Sequence, residues 1–266
     1  MGAKDLRIVL TPVLRFKATS PEIPRRAGWT LHACGSKARD EGPEEGALSR
    51  ALNRIAKLVN AQWHKSSEAD PQSMRGRMYK YGQRLLSRLP AEEYFFRDLN
   101  AMETRNPSYI FPAKIGNSDA MQFIKDLTIE RRRLHQKYLN GSIMLVPFSI
   151  LFSFVPILPN IPLAWNLFRL YCHLSALRGA RHLEDLLLSE RLQLRPDEHM
   201  QKIMENASYI ESASGIQLMS DETRQHMGEL LNSPDLPKTL QRAVGQLGRQ
   251  YGVPAAVKRV EETAGN

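Results

Sequence analysis

From Tyr138 to Phe168 the chain carries no formal charge, and four prolines, Pro147, Pro156, Pro159 and Pro162, divide the stretch. As a single helix it would rise about 46 Å, more than the roughly 30 Å hydrocarbon core of a bilayer. Each proline lacks a backbone donor and collides with the carbonyl four residues earlier, which opposes one straight helix. Pro159-Asn160-Ile161-Pro162 is a turn sequence, so two arms are expected, Gly141 to Leu158 and about Ile161 to Leu177. The first arm spans about 27 Å, the lower edge for crossing a bilayer. The second is interrupted by Arg169 and His173 and spans poorly unless these groups meet a partner or an interface. A buried helical hairpin in a soluble all-α domain is the competing reading. A soluble core helix keeps a polar face, whereas Ile143 to Pro159 offers Ser149 and Ser153 alone as polar residues. The balance favours a membrane hairpin.

Charge distribution points the same way. Residues 1–140 carry 25 Lys and Arg against 15 Asp and Glu. Residues 141–180 add Arg169 and Arg178 with no acid, and residues 181–266 hold 10 basic against 13 acidic residues. The basic half lies directly before the apolar stretch, as expected for a surface that meets nucleic acid or an anionic membrane face. Arg131, Arg132, Arg133 and Lys137 precede the hairpin and Arg178 and Arg181 follow it, so both ends are expected on one side of the membrane. The basic helices bring no aromatic platform or recognition motif, and no nucleic-acid partner is expected.

The remainder reads as helices, and the fold class expected is all-α, with helical soluble flanks around the proline-broken membrane hairpin. Residues 1–46 read as a basic N-terminal segment and linker, and the first 39 hold eight Lys or Arg against Asp5 and Glu22. That composition suits mitochondrial import and equally a basic tail; no apolar stretch of signal-peptide length is present there. Residues 47–140 read as a basic helical region, with one helix from Leu48 to Trp63, another after Asp70-Pro71, and a long one capped by Ser118. Between them Pro107 and Pro112 make Asn106–Asn117 extended or looped. Residues 141–178 form the hairpin, and 179–266 a helical C-terminal region with helix starts near Asp197, Ser220, Asp235 and Pro254. Only Leu6 to Leu10 hints at a strand. Cys34 and Cys172 give neither a disulfide framework nor zinc spacing, and Cys172 reads as a small core residue.

The run PFSILFSFVPILPNIPLAWNLFRLYCHLSALRGARHLE resembles the signature of the mitochondrial potassium/proton exchange-related family. An apolar segment enters a turn through Val155, Pro156, Pro159, Asn160, Ile161 and Pro162. An aromatic helix with Arg169 and His173 follows, then a small-residue and basic exit at Arg178. ERRRLHQKYLNGS, YGQRLLSRLPAEEYFF and the opening RIVLTP are also similar. The resemblance implies a mitochondrial inner-membrane protein connected with potassium/proton exchange, and the basic residues on both sides of the hairpin then lead both termini to be expected in the matrix.

Exchange needs ionisable groups at membrane depth, where they are costly and kept for function. The candidates for an ion path are Asn160 and Asn166 as neutral ligands and Arg169 and His173, which lie four apart and so share a helix face. The competing reading places Arg169 at the headgroups and His173 at the interface. His32, His64, His135, His182, His199 and His226 read as ordinary surface or core residues. No metal spacing, phosphate loop, dinucleotide fingerprint or nucleophile constellation is present, so no metal, cofactor or enzymatic activity is expected. One hairpin cannot enclose a path, so a homo-oligomer or larger membrane complex, with lipids as partners and potassium and protons as transported ions, is expected. Two other readings stay open: a membrane-anchored scaffold without transport, and a soluble basic protein binding mitochondrial RNA.

Overall fold

The computed structural model describes residues 5–16, 28–36, 54, 65, 67–86, 89–151, 161–211 and 216–251. In chain order the elements are β1 (Arg7–Pro12), β2 (Leu14–Phe16), β3 (Trp29–Cys34), α1 (Met74–Leu86), α2 (Ala91–Asn100), β4 (Ser108–Pro112), α3 (Asn117–Leu151), α4 (Ile161–Leu188), β5 (Gln193–Asp197), α5 (Glu198–Glu205), β6 (Tyr209–Glu211), β7 (Ile216–Met219), α6 (Asp221–Leu230) and α7 (Leu236–Gln250). The expected all-α class is therefore corrected to mixed α/β. A four-stranded sheet runs β3-β1-β4-β5, antiparallel between β1 and β3 and parallel elsewhere, and β2, β7 and β6 form a second, antiparallel sheet.

Alternate residues of the central strands feed two separate cores. Ile8, Leu10, Tyr109 and Phe111 face a cluster with Phe95, Phe96 and Leu99 of α2, Ala120 and Ile124 of α3, and Ala176, Ala180 and Leu183 of α4. Val9 and Ile110 face the opposite cluster, with Met200 and Met204 of α5, Met227 of α6 and Leu240 and Val244 of α7. A sheet covered on both faces shows nearly continuous apolar runs instead of alternation, so RIVLTP and SYIFP carry no period-two pattern. The prolines that exclude a helix at 107–112 do leave that segment extended, but extended as a central strand.

The membrane hairpin is corrected as well. Among the described residues, no helix is long and apolar enough to cross a membrane. Gly141 does not start a separate arm. It lies inside α3, which runs from Asn117 to Leu151 and passes through Pro147. The helix rises about 53 Å, basic and acidic along its first part and free of charge only after Lys137. In α4 the charge-free part ends at Arg169. Helices α3 and α4 do pack antiparallel: Arg132 pairs with Glu184, His135 meets His173, and Asn166 meets Ser142 and Ser149. The connection at 152–160, with Pro159 and Asn160, lies outside the described residues, as does most of the helix expected from Leu48 to Trp63.

Several local expectations hold. Asp197 caps α5 by accepting from the Met200 amide at 2.8 Å, and Ser220 caps α6 by accepting from the Thr223 amide. Asp235 precedes α7, whose first turn contains proline. The start near Pro254 lies outside the described residues. Cys172 is fully buried, and its thiol is raised to about 11 by burial.

The small residues of α4 set how closely α2 approaches. A methyl group built on Gly179 would lie 1.8 Å from the Phe96 carbonyl oxygen and 2.7 Å from its carbon. Both are backbone atoms in helices, with no flexible side chain to yield. Gly179→Ala should therefore push α2 away from α4 and destabilise the fold by about 1–3 kcal/mol, measurable as a lowered urea midpoint. An unchanged midpoint would contradict this packing.

Candidate functional site

Helices α2, α3 and α4 converge on a buried polar cluster beneath an otherwise apolar interface. Glu93 lies in the first turn of α2, where two acids, Glu92 and Glu93, complement the positive end of the helix dipole. That turn is clamped by α7: the Ala91 amide donates to Gln246 Oε1 at 2.9 Å, and the same side-chain amide donates to the Leu89 carbonyl. Glu93 is 3% exposed along its side chain, and Arg169 of α4 covers it. The guanidinium donates from Nη1 to Oε1 at 2.8 Å and from Nη2 to Oε2 at 3.2 Å, a two-pronged ion pair.

Arg169 also donates from Nη2 to Nε2 of His173 at 3.0 Å, one helical turn later. An arginine is a donor only, so this contact fixes the tautomers beyond it. His173 accepts at Nε2 and, when neutral, must carry its proton on Nδ1. Its Nδ1 lies 3.4 Å from Nδ1 of His135 on α3, so His173 donates and His135 accepts. His135 therefore carries its own proton on Nε2, a buried atom with no hydrogen-bond partner. The four side chains form a directed chain from Glu93 through Arg169 and His173 to His135.

Both imidazoles are held neutral. His173 is lowered from 6.5 to about 3 by burial, then by Arg169 and His135. His135 is lowered to about 4 by burial, then by Arg131 and Arg169. The rings are further enclosed by Tyr138, 5.3 Å from His173 between centroids, and by Phe96, 6.3 Å from His135. Beside the chain opens a cleft of about 380 Å3, lined among others by Leu89, Glu93, Arg131, His135, Tyr138, Trp165 and Arg169.

Glu93, His135 and His173 bring three potential metal-ligand atoms within 4.8 Å of one another. The Arg169 guanidinium occupies both Glu93 oxygens and one His173 nitrogen, so a cation would have to displace a fixed positive charge. As arranged, the cluster orders protons and donors.

Of the residues expected on an ion path, Arg169 and His173 come together as their spacing implies. Asn166 sits apart, one turn nearer the helix ends. Its amide donates to the Ser142 carbonyl at 3.2 Å and to Ser149 Oγ at 3.3 Å. It ties α4 to the stretch of α3 around Pro147, which has no N–H for the carbonyl four residues back. Asn160 and Pro159 of the expected turn lie outside the described residues, and Ile161 and Pro162 open α4. Sequence reading missed Glu93 and His135. The signal for His135 was its place on the stripe of Ile124, Thr128, His135 and Leu139, all buried in the structure. Glu93 shares its turn with Phe95 and Phe96, which pull that part of α2 into the core.

Residues 7–187 match the family described as mitochondrial K+-H+ exchange-related, well over half of the chain and every residue of the cluster. The chain belongs to that family. An uncharacterized protein of Schizosaccharomyces pombe is 26% identical over 208 residues, which cover 76% of this chain and 84% of that protein. No solved structure matches the chain. The family description supports a mitochondrial association and a connection with potassium/proton exchange.

The lowered histidines make stability depend on pH in a defined sense. Unfolded imidazoles take up protons as pH falls through 6.5, while the folded ones resist until about 4 and about 3. Stability from these groups is therefore complete above 6.5 and is lost as pH falls from there towards 3. Each histidine that protonates only on unfolding contributes a slope of up to about 1.4 kcal/mol per pH unit. Urea unfolding at pH 7, 6 and 5 should show a steeper loss for the native chain than for His135→Gln/His173→Gln. Parallel slopes would mean that the pair titrates alike in both states.

Proposed function

We propose that this protein acts in mitochondrial potassium/proton exchange at the inner membrane, as a component or regulator of the exchanger and without enzymatic activity. The observation that carries the reading is that the family match spans α2, α3 and α4 and so contains the whole Glu93–Arg169–His173–His135 chain. Charged and titratable groups are costly to bury and tend to mark functional sites. Here a two-pronged ion pair is spent on fixing the tautomers of two neutral histidines, an arrangement that a purely structural core would replace with apolar side chains at little cost.

Arg169 is the residue on which the role turns, because among the described residues of the cluster it joins the carboxylate to the histidine pair, through His173. Isolated mitochondria suspended in potassium acetate swell as exchange admits the cation. In cells lacking the protein the swelling rate should fall, return with the native chain, and stay low with Arg169→Met despite normal protein level. Reconstitution of the purified chain in liposomes then separates the two roles: potassium flux from the chain alone marks it as the exchanging component, and flux only with other membrane proteins marks a regulator. Swelling at the native rate in the absence of the protein would overturn the reading.

A further inference from the structure

Two residues that line the cleft beside the cluster carry buried donors without a partner. His135 Nε2, which the tautomer argument protonates, is buried and unpartnered, on a residue only 3% exposed. Arg131 Nε is likewise buried without a partner. The two residues are four apart on α3 and therefore project from the same face, and both line the cleft together with Arg169. Arg131 pairs with Glu92 through Nη2, at 3.5 Å, and not through its Nε–H. Buried donors are almost always satisfied, so two orphans on neighbouring residues of one cleft call for an acceptor with more than one oxygen. Arg131 and Arg169 both act on His135 as positive charges, and the one carboxylate in the lining, Glu93, is already paired with Arg169.

We infer that this cleft binds a phosphate oxyanion, held by the Arg131 Nε and His135 Nε2 donors. The rest of the lining says what the phosphate is attached to. Leu89, Leu134, Tyr138 and Trp165 supply an apolar rim, and the space far exceeds a bare phosphate ion. Tyr138 and Trp165 stand in the charge-free parts of α3 and α4, and Met144 and Phe148 further along α3 are exposed. A phosphate diester on an amphiphile, as in a phospholipid headgroup, meets both the donors and the rim; free phosphate meets the donors alone. This inference stands on the cleft and is independent of any part in ion exchange.

Binding is measured on the full chain with two probes, inorganic phosphate and phosphatidylcholine vesicles with and without phosphatidylglycerol. Three variants accompany the native chain: Arg131→Gln, Arg131→Lys, which keeps the charge but loses Nε–H, and Arg133→Gln, an exposed arginine on the same helix. Their unfolding midpoints without probe establish that each is folded. Arg131→Gln and Arg131→Lys should weaken binding at least about tenfold, as loss of a hydrogen bond to a charged group does, while Arg133→Gln leaves it unchanged. Capture by phosphatidylglycerol vesicles and not by free phosphate identifies a headgroup site; saturable binding of inorganic phosphate that protects against vesicle capture identifies a free-phosphate site. Failure to bind either probe would overturn the inference. So would an Arg131→Lys chain that binds like the native one, or an equal loss in Arg133→Gln, since both mean that diffuse positive charge suffices.

Discussion

Everything distinctive in this fold depends on a guanidinium held against a carboxylate inside it. Arg169 cannot accept a hydrogen bond, so its contact with His173 dictates which nitrogen of each histidine carries a proton. Glu93 is what allows Arg169 to lie there at all, because an uncompensated buried charge costs several kcal/mol. The carboxylate can reach it only because Gly179 permits backbone contact between α2 and α4. The clamp from Gln246 of α7 fixes the turn that carries Glu93. Residues distant in sequence, and from both sides of the sheet, thus determine one proton arrangement.

The charge-free ends of α3 and α4 acquire a different meaning in this frame. Read alone, Tyr138 to Phe168 has the composition of a segment that meets lipid. In the fold its described parts, Tyr138–Leu151 and Ile161–Phe168, are the far ends of two long helices whose near ends are charged and packed on a sheet. Ile143, Met144, Leu145, Phe148 and Leu151 are exposed there, while Asn166 donates across the helix pair to the Ser142 carbonyl and to Ser149 Oγ. Among the described residues of the stretch, Ser142, Ser149 and Asn166 are buried while several large apolar side chains are exposed, an arrangement that suits an apolar or amphiphilic contact.

How much of this was legible in the sequence follows from what each signal physically encodes. Local chemistry was legible. Asp197 and Ser220 announce helix starts because their side chains satisfy orphan amides, and Arg169 and His173 share a face because they are one turn apart. The family resemblance, carried by the proline-rich turn and its flanks, agrees with the match over residues 7–187. Of the sheet only β1 was legible, through the hint at Leu6 to Leu10. Its central strands are covered on both faces, so they show short apolar runs without alternation, and β1 pairs with β4 about a hundred residues away. The membrane hairpin was read from hydropathy without knowing that Gly141 would continue a helix begun at Asn117. His135 was marked only by its place on the buried stripe of α3 and Glu93 only by its neighbours Phe95 and Phe96, signals of burial and not of a site. Their role exists only where three helices meet.

The central claim is the proton arrangement itself, and nitrogen-15 NMR of the imidazoles reports it directly. In uniformly labelled protein at pH 7, both rings should be neutral, His173 with its proton on Nδ1 and His135 with its proton on Nε2. Arg169→Met should release His173 from that tautomer while Glu93 remains. A native His173 protonated on Nε2, or a charged imidazolium at either position near neutral pH, would contradict the account.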